Sequence, residues 1–245
     1  MNSTPRRDSI VIIPTYNECE NAAAIIDAVL ALQPDFDVLV GDDNSPDGTA
    51  AIVKEKMREH PGRVHIIERQ GKLGLGTAYI AGFKWSLDHG YDYIFEMDAD
   101  FSHNPADLVR LRTAVVAGAD VAVGSRYVKG VNVVNWPMGR VLMSYYASKY
   151  VRVVTGLPVC DTTAGFVCYR RRVLESIGLD EIQFKGYAFQ IEMKFKAYKK
   201  GYKIEEVPIV FVNRVLGSSK MSSGIFGEAM FGVMKLRWQS LTGKI

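Results

Sequence analysis

Short apolar runs rich in valine and isoleucine alternate with longer amphipathic stretches along the first half of the chain. Apolar runs of four to six residues are typical of buried strands, whereas apolar residues spaced three or four apart are typical of helices. The pattern predicts strands at residues 10–13, 36–41, 64–68 and 93–97. It predicts helices at residues 21–32, 49–59, 74–89 and 107–117.

This alternation of strands and helices indicates the class of fold. A strand, a helix and a further strand in succession form a right-handed crossover between parallel strands. We therefore predict an α/β fold with a mostly parallel sheet. Ligands of such sheets bind outside the carboxyl ends of the strands, so functional residues are expected there.

The second half of the chain has a less regular pattern. Strands are predicted at residues 119–124, 166–169 and 203–211, and helices at residues 139–155, 189–200 and 225–241. The sequence has no internal repeat, low-complexity tract or linker. We expect residues 1–245 to form a single catalytic domain, with a mobile loop at residues 215–224 rich in glycine and serine.

Composition and charge exclude several classes of protein. Hydrophobic residues make up 48% and charged residues 23%, which argues against long disorder or a fibre. A net charge of +3 is too small to suggest a nucleic-acid partner. The three cysteines, Cys19, Cys160 and Cys168, form neither a metal-ligand motif nor a disulfide framework, which favours a reducing compartment.

Membrane-spanning segments are not predicted. The longest apolar candidate, residues 141–154, is interrupted by Lys149 and Arg152, and the apolar run after the N-terminal arginines is too short for a signal peptide. We expect a soluble, cytoplasmic protein.

Polar clusters follow each of the first four predicted strands. They are PTYNE at 14–18, DDNSPDG at 42–48, GKLGLGT at 71–77 and DAD at 98–100. Each cluster alone is also typical of a surface turn, because aspartate, asparagine and glycine favour turns. Four such clusters at one edge of a sheet favour a binding site.

The aspartate pair is the most informative of these clusters. Asp98 and Asp100 follow an apolar strand, and alternation along an extended chain puts both carboxylates on one side. A divalent cation relieves their repulsion, and hard oxygen ligands suit Mg²⁺ or Mn²⁺. The alternative is a helix cap before Pro105, where Asn104 is the better cap.

The glycine loop at residues 71–77 matches neither common nucleotide motif. A P-loop requires lysine after its final glycine, but Thr77 follows Gly76. A dinucleotide fingerprint fails because Tyr79 stands where its last glycine is required. Lys72 could face a phosphate or solvent.

The motifs together resemble those of a known family. The chain resembles the family-two glycosyltransferases of GT-A type, and within them the dolichol- or polyprenol-phosphate mannosyltransferases. Besides the clusters above, the matching segments are His103-x-Pro105, GSRY at 124–127, Trp136-Pro137-x-x-Arg140, DTTAGF at 161–166, KGYAFQIE at 185–192 and Arg214-x-x-Gly217-x-Ser219-Lys220.

This resemblance implies a three-layer α/β/α GT-A fold and roles for individual residues. Catalysis would involve Asp98, Asp100, Arg126 and Arg140. The GDP-sugar donor would be bound by Pro14, Tyr16, Glu18, Asp43, Asp98, Ala99, Asp100, Arg126, Arg214 and Lys220. The metal would be held by Asp98, Asp100 and Ser102, and the lipid phosphate by Arg126, Arg140 and Ser144.

The implied reaction is inverting transfer of mannose from GDP-mannose to polyprenyl or dolichyl phosphate. An ionised phosphate needs no general base, in contrast to a sugar hydroxyl, but it needs cationic groups to hold it near the donor diphosphate. The alternatives are another donor such as UDP-glucose, a catalytically silent nucleotide-binding module, and a nucleotidyltransferase, which the glycine loop disfavours.

Contact with a membrane is expected because the acceptor is a lipid. The helix predicted at residues 225–241 either lies on anionic lipid or packs on its own domain. Residues 131–136 form either a lipid-facing loop or an edge strand. Relatives have membrane helices or membrane subunits, so peripheral association with the cytoplasmic face, with a possible anchoring partner, is predicted.

Overall fold

A computed structural model describes residues 7–213 and 225–243. Strands of the described residues are β1 Ser9–Thr15, β2 Asp37–Asp42, β3 Val64–Glu68, β4 Tyr93–Glu96, β5 Val121–Ser125, β6 Val133–Val134, β7 Val167–Arg170, β8 Ile204–Pro208 and β9 Phe211–Val212. The helices are α1 Cys19–Leu30, α2 Thr49–Glu59, α3 Leu75–Asp88, α4 Asp107–Val116, α5 Met138–Thr155, α6 Arg171–Ser176, α7 Tyr187–Lys199 and α8 Ile225–Leu241, with a 3₁₀ turn at Leu179–Glu181.

Seven of these strands form the central sheet, in the order β3-β2-β1-β4-β7-β5-β8. Strand β7 is antiparallel to both of its neighbours, whereas the other strand pairs are parallel. The prediction of a mostly parallel sheet is therefore confirmed. Because β7 runs in the opposite direction, the loop before it lies at the edge where the parallel strands end.

Helices cover both faces of the sheet, and alternation along β1 explains the two layers. Val11 and Ile13 belong to a core cluster with residues of α1 and α4, whereas Ile10 and Ile12 pack in a second cluster with residues of α3 and α7. All four side chains are fully buried, and burial of an aliphatic side chain of this size contributes about 1.5–3 kcal/mol. The result is a three-layer α/β/α arrangement.

A third, smaller cluster joins helices α5, α7 and α8 beside the sheet. Val151 of α5 packs with Ile191 and Phe195 of α7 and with Val233 and Leu236 of α8. Helix α8 thus packs on its own domain through one side. Over the described residues, none of the helices is both long enough and apolar enough to cross a bilayer.

In the second half of the chain one predicted strand is divided and one open alternative is decided, and α6 and the 3₁₀ turn were not predicted. The strand predicted at residues 203–211 is two strands, β8 and β9, separated at Ile209 and Val210. Within residues 131–136, the alternatives were an edge strand or a lipid-facing loop, and Val133 and Val134 form the short strand β6, which pairs in parallel with β9. The predicted loop at residues 215–224 lies outside the described residues.

Candidate active site

The polar clusters predicted from the sequence lie at one edge of the sheet. Strands β1, β2, β3, β4 and β5 are aligned by parallel pairing or by their common antiparallel neighbour β7, so their carboxyl ends point the same way. The loops after β3, β2, β1 and β4 form one half of this edge, called the donor half because most of the predicted donor residues lie on it. The loop after β5, helix α5 and the loop before β7 form the other half, called the acceptor half because the predicted acceptor residues lie on it.

Hydrogen bonds hold the loops after β1 and β2 together. The backbone amide of Asn17 donates to Ser45 Oγ, that of Glu18 donates to Thr49 Oγ1, and that of Cys19 donates to Asp47 Oδ2, each over 3.0 Å. Partial burial favours the protonated form of Asp47, but hydrogen bonds from Thr49 and Cys19 outweigh it and lower the pKa of Asp47 to about 2. These contacts hold Tyr16 and Glu18 beside the Asp43 loop.

Asp42 and Asp43 have different environments although they are adjacent. Buried Asp42 accepts hydrogen bonds from Thr15 Oγ1 and from both the amide and the hydroxyl of Ser45. Asp42 therefore stabilises the conformation of the loop after β2. Asp43 instead faces Arg69, whose Nη1 donates to Asp43 Oδ1 over 2.5 Å. Burial raises the pKa of Asp43, although the nearby Arg69 guanidinium opposes this shift.

Arg69 is a site residue that the sequence analysis missed. It follows β3, at the same edge as the other loops, and it also donates to Thr77 at the start of α3. Nearby, Lys72 Nζ lies 5.2 Å from the centre of the Tyr16 ring. Arg69 could have been identified from the sequence because it directly follows the strand predicted at residues 64–68.

The aspartate pair follows β4 as predicted. The side chain of Asp98 is 41% exposed, whereas Asp100 is buried and accepts a hydrogen bond from the Ser102 amide over 3.0 Å. Between them, buried Ala99 packs in the core. Phe101 has a φ of +57°, an unusual backbone conformation for a bulky residue. This turn brings Ser102 back toward the carboxylates.

His103 lies against the aspartate pair, and its Nδ1 has no hydrogen-bond partner among the residues that the structure describes. This atom is 4.0 Å from Asp98 Oδ2, and the ring stacks on Phe166 with centroids 4.8 Å apart. Burial lowers the pKa of His103 to about 4, so the ring is neutral near pH 7. Among residues 7–213 and 225–243, no three His, Cys, Asp or Glu side chains lie close enough together to hold a metal ion.

A buried polar network lies behind β4. Gln190 Nε2 donates to Glu96 Oε2 over 2.7 Å, and Lys194 Nζ donates to the Ala164 carbonyl oxygen over 2.6 Å. Burial raises the pKa of Glu96 and lowers that of Lys194. Through its hydrogen bond to Ala164, Lys194 anchors the loop before β7, which belongs to the acceptor half of the site.

Arg126 is held in place by a buried carboxylate. Its Nε and Nη2 donate to the two oxygens of Asp161 over 2.7 and 2.6 Å, and Nη2 also donates to Thr163. The amide of Arg126 donates to the same aspartate. Glu206 in turn accepts hydrogen bonds from the amides of Cys160 and Asp161. Asp161 therefore occupies one edge of the planar Arg126 guanidinium group. From the sequence, this guanidinium was predicted to bind the lipid phosphate.

Trp136 brings the two predicted acceptor arginines together. The Arg140 guanidinium carbon lies 3.9 Å from the Trp136 ring centre, and that of Arg126 lies 5.5 Å from it. The indole nitrogen Nε1 is buried and has no hydrogen-bond partner in the described part of the chain. Ser144, on the same helix as Arg140, accepts a hydrogen bond from the Tyr127 hydroxyl over 2.8 Å.

Strand β9 connects the aspartate turn to the acceptor half. The Val212 amide donates to the Ser102 carbonyl oxygen over 3.2 Å, and the neighbouring Phe211 amide donates to Asn132 over 3.0 Å. Asn132 in turn donates to the Arg126 carbonyl oxygen. The next residue, Asn213, accepts a hydrogen bond from Arg140 Nη1.

The predicted site residues divide as follows between the two halves and the rest of the chain. Pro14 lies near the end of β1, and the loops of the donor half carry Tyr16, Glu18, Asp43, Asp98, Ala99, Asp100 and Ser102. In the acceptor half, Arg126 directly follows β5, and Arg140 and Ser144 lie on α5. Arg214 and Lys220 lie outside the described residues, so their predicted donor contacts stay predictions.

Related proteins share both the sequence and the fold. The sequence model of the family described as Glycosyl transferase family 2 matches residues 10–178. A polyprenol monophosphomannose synthase of Mycolicibacterium smegmatis is 50% identical over 229 residues, 94% of this chain and 86% of the relative. An undecaprenyl-phosphate mannosyltransferase of Micrococcus luteus is 47% identical over 240 residues, 96% of this chain and 98% of the relative.

Solved structures of glycosyltransferases have the same fold at low identity. A glucosyl-3-phosphoglycerate synthase from Mycobacterium tuberculosis, crystallised with Mn²⁺, UDP and glucosyl-3-phosphoglycerate, aligns with a TM-score of 0.68 at 16% identity. The alignment covers 95% of this chain and 80% of that one. A mannosyltransferase from Pyrobaculum calidifontis in complex with GDP-Man and Mn²⁺ aligns with a TM-score of 0.56 at 15% identity, over 98% of this chain and 75% of that one.

These comparisons confirm the resemblance and the GT-A fold predicted from the sequence motifs. The match to the family covers more than half of the chain, and the two relatives extend the similarity over nearly all of it. The chain belongs to glycosyl transferase family 2.

Proposed function

We propose that this enzyme transfers mannose from GDP-mannose to a polyprenyl phosphate, with inversion at the sugar carbon that is attacked. The names of two relatives that are 50% and 47% identical support the sugar and the acceptor. The P. calidifontis mannosyltransferase in complex with GDP-Man supports the donor less strongly, because its identity is only 15%. The geometry of the acceptor half supports the same reaction independently.

The observation that carries this proposal is a pair of arginines packed on Trp136, next to a carboxylate, Asp161, that is already paired with Arg126. Arg126 and Arg140 both pack on Trp136, so positive charge is concentrated where a second anion would bind. Asp161 is fully buried in its ion pair with Arg126, so it is unsuited to remove a proton from a substrate. A phosphate nucleophile needs positive charge and no base, whereas a sugar hydroxyl needs a base.

The acceptor residues then have separate tasks. Arg140 stacks on Trp136 and presents its guanidinium to the lipid phosphate, and planar guanidinium groups bind phosphate well. The buried Trp136 Nε1 is a hydrogen-bond donor whose missing acceptor a phosphate oxygen would supply. Arg126, oriented by Asp161, contributes charge from its remaining edge, and Ser144 adds a hydroxyl group.

The donor half binds the nucleoside and the diphosphate. Tyr16 and Glu18, held against the Asp43 loop, form the nucleoside side together with Pro14. Asp98, Asp100 and Ser102 provide hard oxygen ligands that fit Mg²⁺ or Mn²⁺, and such a cation, when bound, would neutralise charge on the departing diphosphate. Arg214 and Lys220 complete the donor site in this proposal.

The acceptor's prenyl chain implies that the reaction takes place at a membrane surface. We place the enzyme peripherally on the cytoplasmic face, where a water-soluble nucleotide sugar meets a lipid phosphate. An anchoring partner is compatible with this placement.

The proposal is tested by a transfer assay with purified enzyme and matched substrates. GDP-mannose and UDP-glucose are each offered with a short-chain polyprenyl phosphate or with the same polyprenol lacking phosphate, and products are identified by mass spectrometry. We expect mannosyl transfer from GDP-mannose to the phosphate alone. Preferred transfer of glucose, or equal transfer to the free alcohol, would contradict the proposal.

A further inference from the structure

The outer side of helix α5 carries a stripe of exposed apolar side chains. Met138, Leu142 and Tyr146 are spaced four residues apart and are 70%, 48% and 59% exposed. Val153, two turns further on the same side, is 77% exposed. Spacing of this kind puts the four side chains on one face of the helix. The buried residues of α5, among them Val151, lie on the opposite face.

The segment that contains this helix has basic residues but no acidic ones. No aspartate or glutamate occurs between Asp120 and Asp161, although acidic residues account for 27 of the 245 residues overall. The same span contains five basic residues, Arg126, Lys129, Arg140, Lys149 and Arg152. Arg126 is neutralised by Asp161, whereas Lys149 and Arg152 form no ion pair within the described residues. A surface that combines apolar residues with such positive charge is suited to an anionic partner.

A small cavity of about 100 Å³ adjoins the stripe on its basic side. It is lined by Tyr127, Tyr145, Lys149, Arg152 and Cys160. The rings of Tyr127 and Tyr145 meet edge to face at 5.6 Å. Tyr127 also donates to Ser144, so the cavity lies next to the acceptor half of the active site. Two cationic side chains in this cavity suit the phosphate of a lipid headgroup.

Helix α5 thus has two functional sides. Arg140 contacts Asn213, Ser144 contacts Tyr127, and both lie toward the active site, whereas the apolar stripe faces away from the core. We propose that the outer face of α5 is the surface by which this enzyme docks on an anionic phospholipid membrane, with Lys149 and Arg152 contacting headgroup phosphates. This inference rests on the proposed function, because only a lipid acceptor requires the active site to lie at a bilayer.

A bilayer explains the combination of features better than a protein partner does. The stripe follows a single helix that lies along the surface, and its flanking charges have one sign, as in helices that lie in a membrane interface. Binding should accordingly depend on anionic lipid and weaken at high salt. Removal of each basic side chain should weaken it about fivefold.

The test is co-sedimentation of the full chain with vesicles of phosphatidylcholine, with or without phosphatidylglycerol. We expect binding to the anionic vesicles, strong loss of binding in Val153→Asp, and about fivefold weaker binding in each of Lys149→Gln and Arg152→Gln. Val116→Asp is the matched control, because Val116 is also an exposed valine (52%) in the last turn of a helix, α4. Equal loss in the two valine variants, or no vesicle binding by the parent chain, would overturn the proposal and favour a protein partner.

A second measurement separates this inference from the proposed function. Mannosyl transfer is followed with a short-chain prenyl phosphate in detergent and with a long-chain prenyl phosphate embedded in anionic vesicles. We expect Val153→Asp to retain activity with the first and lose at least tenfold with the second. Equal activity of parent and variant on vesicles would refute docking through α5, whereas no transfer by the parent in either format would refute the proposed function alone.

Discussion

At the scale of single residues, the ion pair between Arg126 and Asp161 determines the shape of the acceptor half. Asp161 is completely buried and accepts three hydrogen bonds from Arg126, one from the backbone and two from the side chain. Breaking a buried ion pair by removing one partner costs about 3–5 kcal/mol, because a charge is left uncompensated. Replacing both partners costs much less.

We therefore predict that Asp161→Asn lowers the free energy of unfolding by about 3 kcal/mol and strongly reduces transfer. The double variant Arg126→Met/Asp161→Asn should recover most of the stability, because the unpaired charge is gone and asparagine still accepts the backbone amide. It should not recover activity. Urea denaturation and kcat/KM test both statements, and a double variant as unstable as the single one would show that charge is not the cause.

Arg140 offers a second residue-scale prediction, because it is stacked on Trp136 and contacts Asn213. Arg140→Ala should raise the KM for prenyl phosphate at least tenfold and leave the KM for GDP-mannose within about twofold. Arg140→Lys should recover only part of the loss, since lysine keeps the charge but not the planar stacking group. Initial-rate kinetics measure this.

Arg110→Ala is the control for this experiment, since Arg110 is an exposed arginine of α4 paired with Asp107. If the KM of the donor rises with that of the acceptor in Arg140→Ala, Arg140 does not belong to the acceptor site alone.

Most of the site residues predicted from the sequence come from motifs, whereas contacts between distant positions could not be predicted. Asp98, Asp100 and Arg140 could be found because family motifs contain them. The pairing of Arg126 with Asp161 joins positions 35 residues apart, and Arg69 reaches Asp43 across 26 residues. Spacing along the chain contains no information on such contacts, which depend on how loops meet at the sheet edge.

At the scale of elements, a glycine of helix α3 lies in close contact with strand β1, whereas a glycine of helix α5 has open space around it. A Cβ atom on Gly82 of α3 would lie 2.7 Å from Ile12 Cγ2, whereas one on Gly139 of α5 would have no heavy atom within 4 Å. Ile12 is fully buried in the central strand, so it cannot move aside without disturbing the core.

We predict that Gly82→Ala destabilises the protein by about 1–3 kcal/mol, since the helix must move away from the sheet. Gly139→Ala should stabilise it by about 0.5 kcal/mol, because alanine restricts the unfolded chain and favours helix. Chemical denaturation of both variants measures the two effects. Equal and small changes would mean that α3 is not packed against Ile12 as closely as described.

Elements with strong apolar periodicity were predicted well, and short elements were not. The predicted helix at residues 49–59 and the strand at 64–68 coincide with α2 and β3. The break between β8 and β9 was missed because apolar and β-branched residues continue through it, and only tertiary pairing with β6 separates the two strands. A two-residue strand has too little pattern to be recognised.

At the scale of the whole molecule, the donor half should bind nucleotide and metal as one unit, and binding should stabilise the fold. With GDP and Mn²⁺ at about a hundred times their dissociation constants, stabilisation of about 2.7 kcal/mol is expected, equivalent to a Tm increase of about 5 °C or more. Chelation of the metal, or the variant Asp100→Asn, should remove most of this increase. Differential scanning fluorimetry gives the answer, and an equal increase in the presence of EDTA would refute metal-assisted binding.

The overall architecture could be predicted from the sequence because it depends on repeated, local signals. Four strand–helix units in succession leave few topologies, and right-handed crossovers limit them further. The antiparallel direction of β7, Val167–Arg170, could not be predicted, since the hydrophobic pattern of so short a strand does not depend on its direction. That direction is what allows Asp161 to reach the site.

The hydrogen bonds of strand β9 restrict insertions and deletions in the residues just before it. Successive amides of Phe211, Val212 and Asn213 bond alternately to the β6 segment and to the carbonyl oxygen of Ser102. Inserting or deleting one residue between β8 and β9 would turn each of these groups to the opposite side and exchange the two sets of partners. A one-residue insertion or deletion at residues 209–210 should therefore disrupt both the β6–β9 pairing and the contact with the aspartate turn.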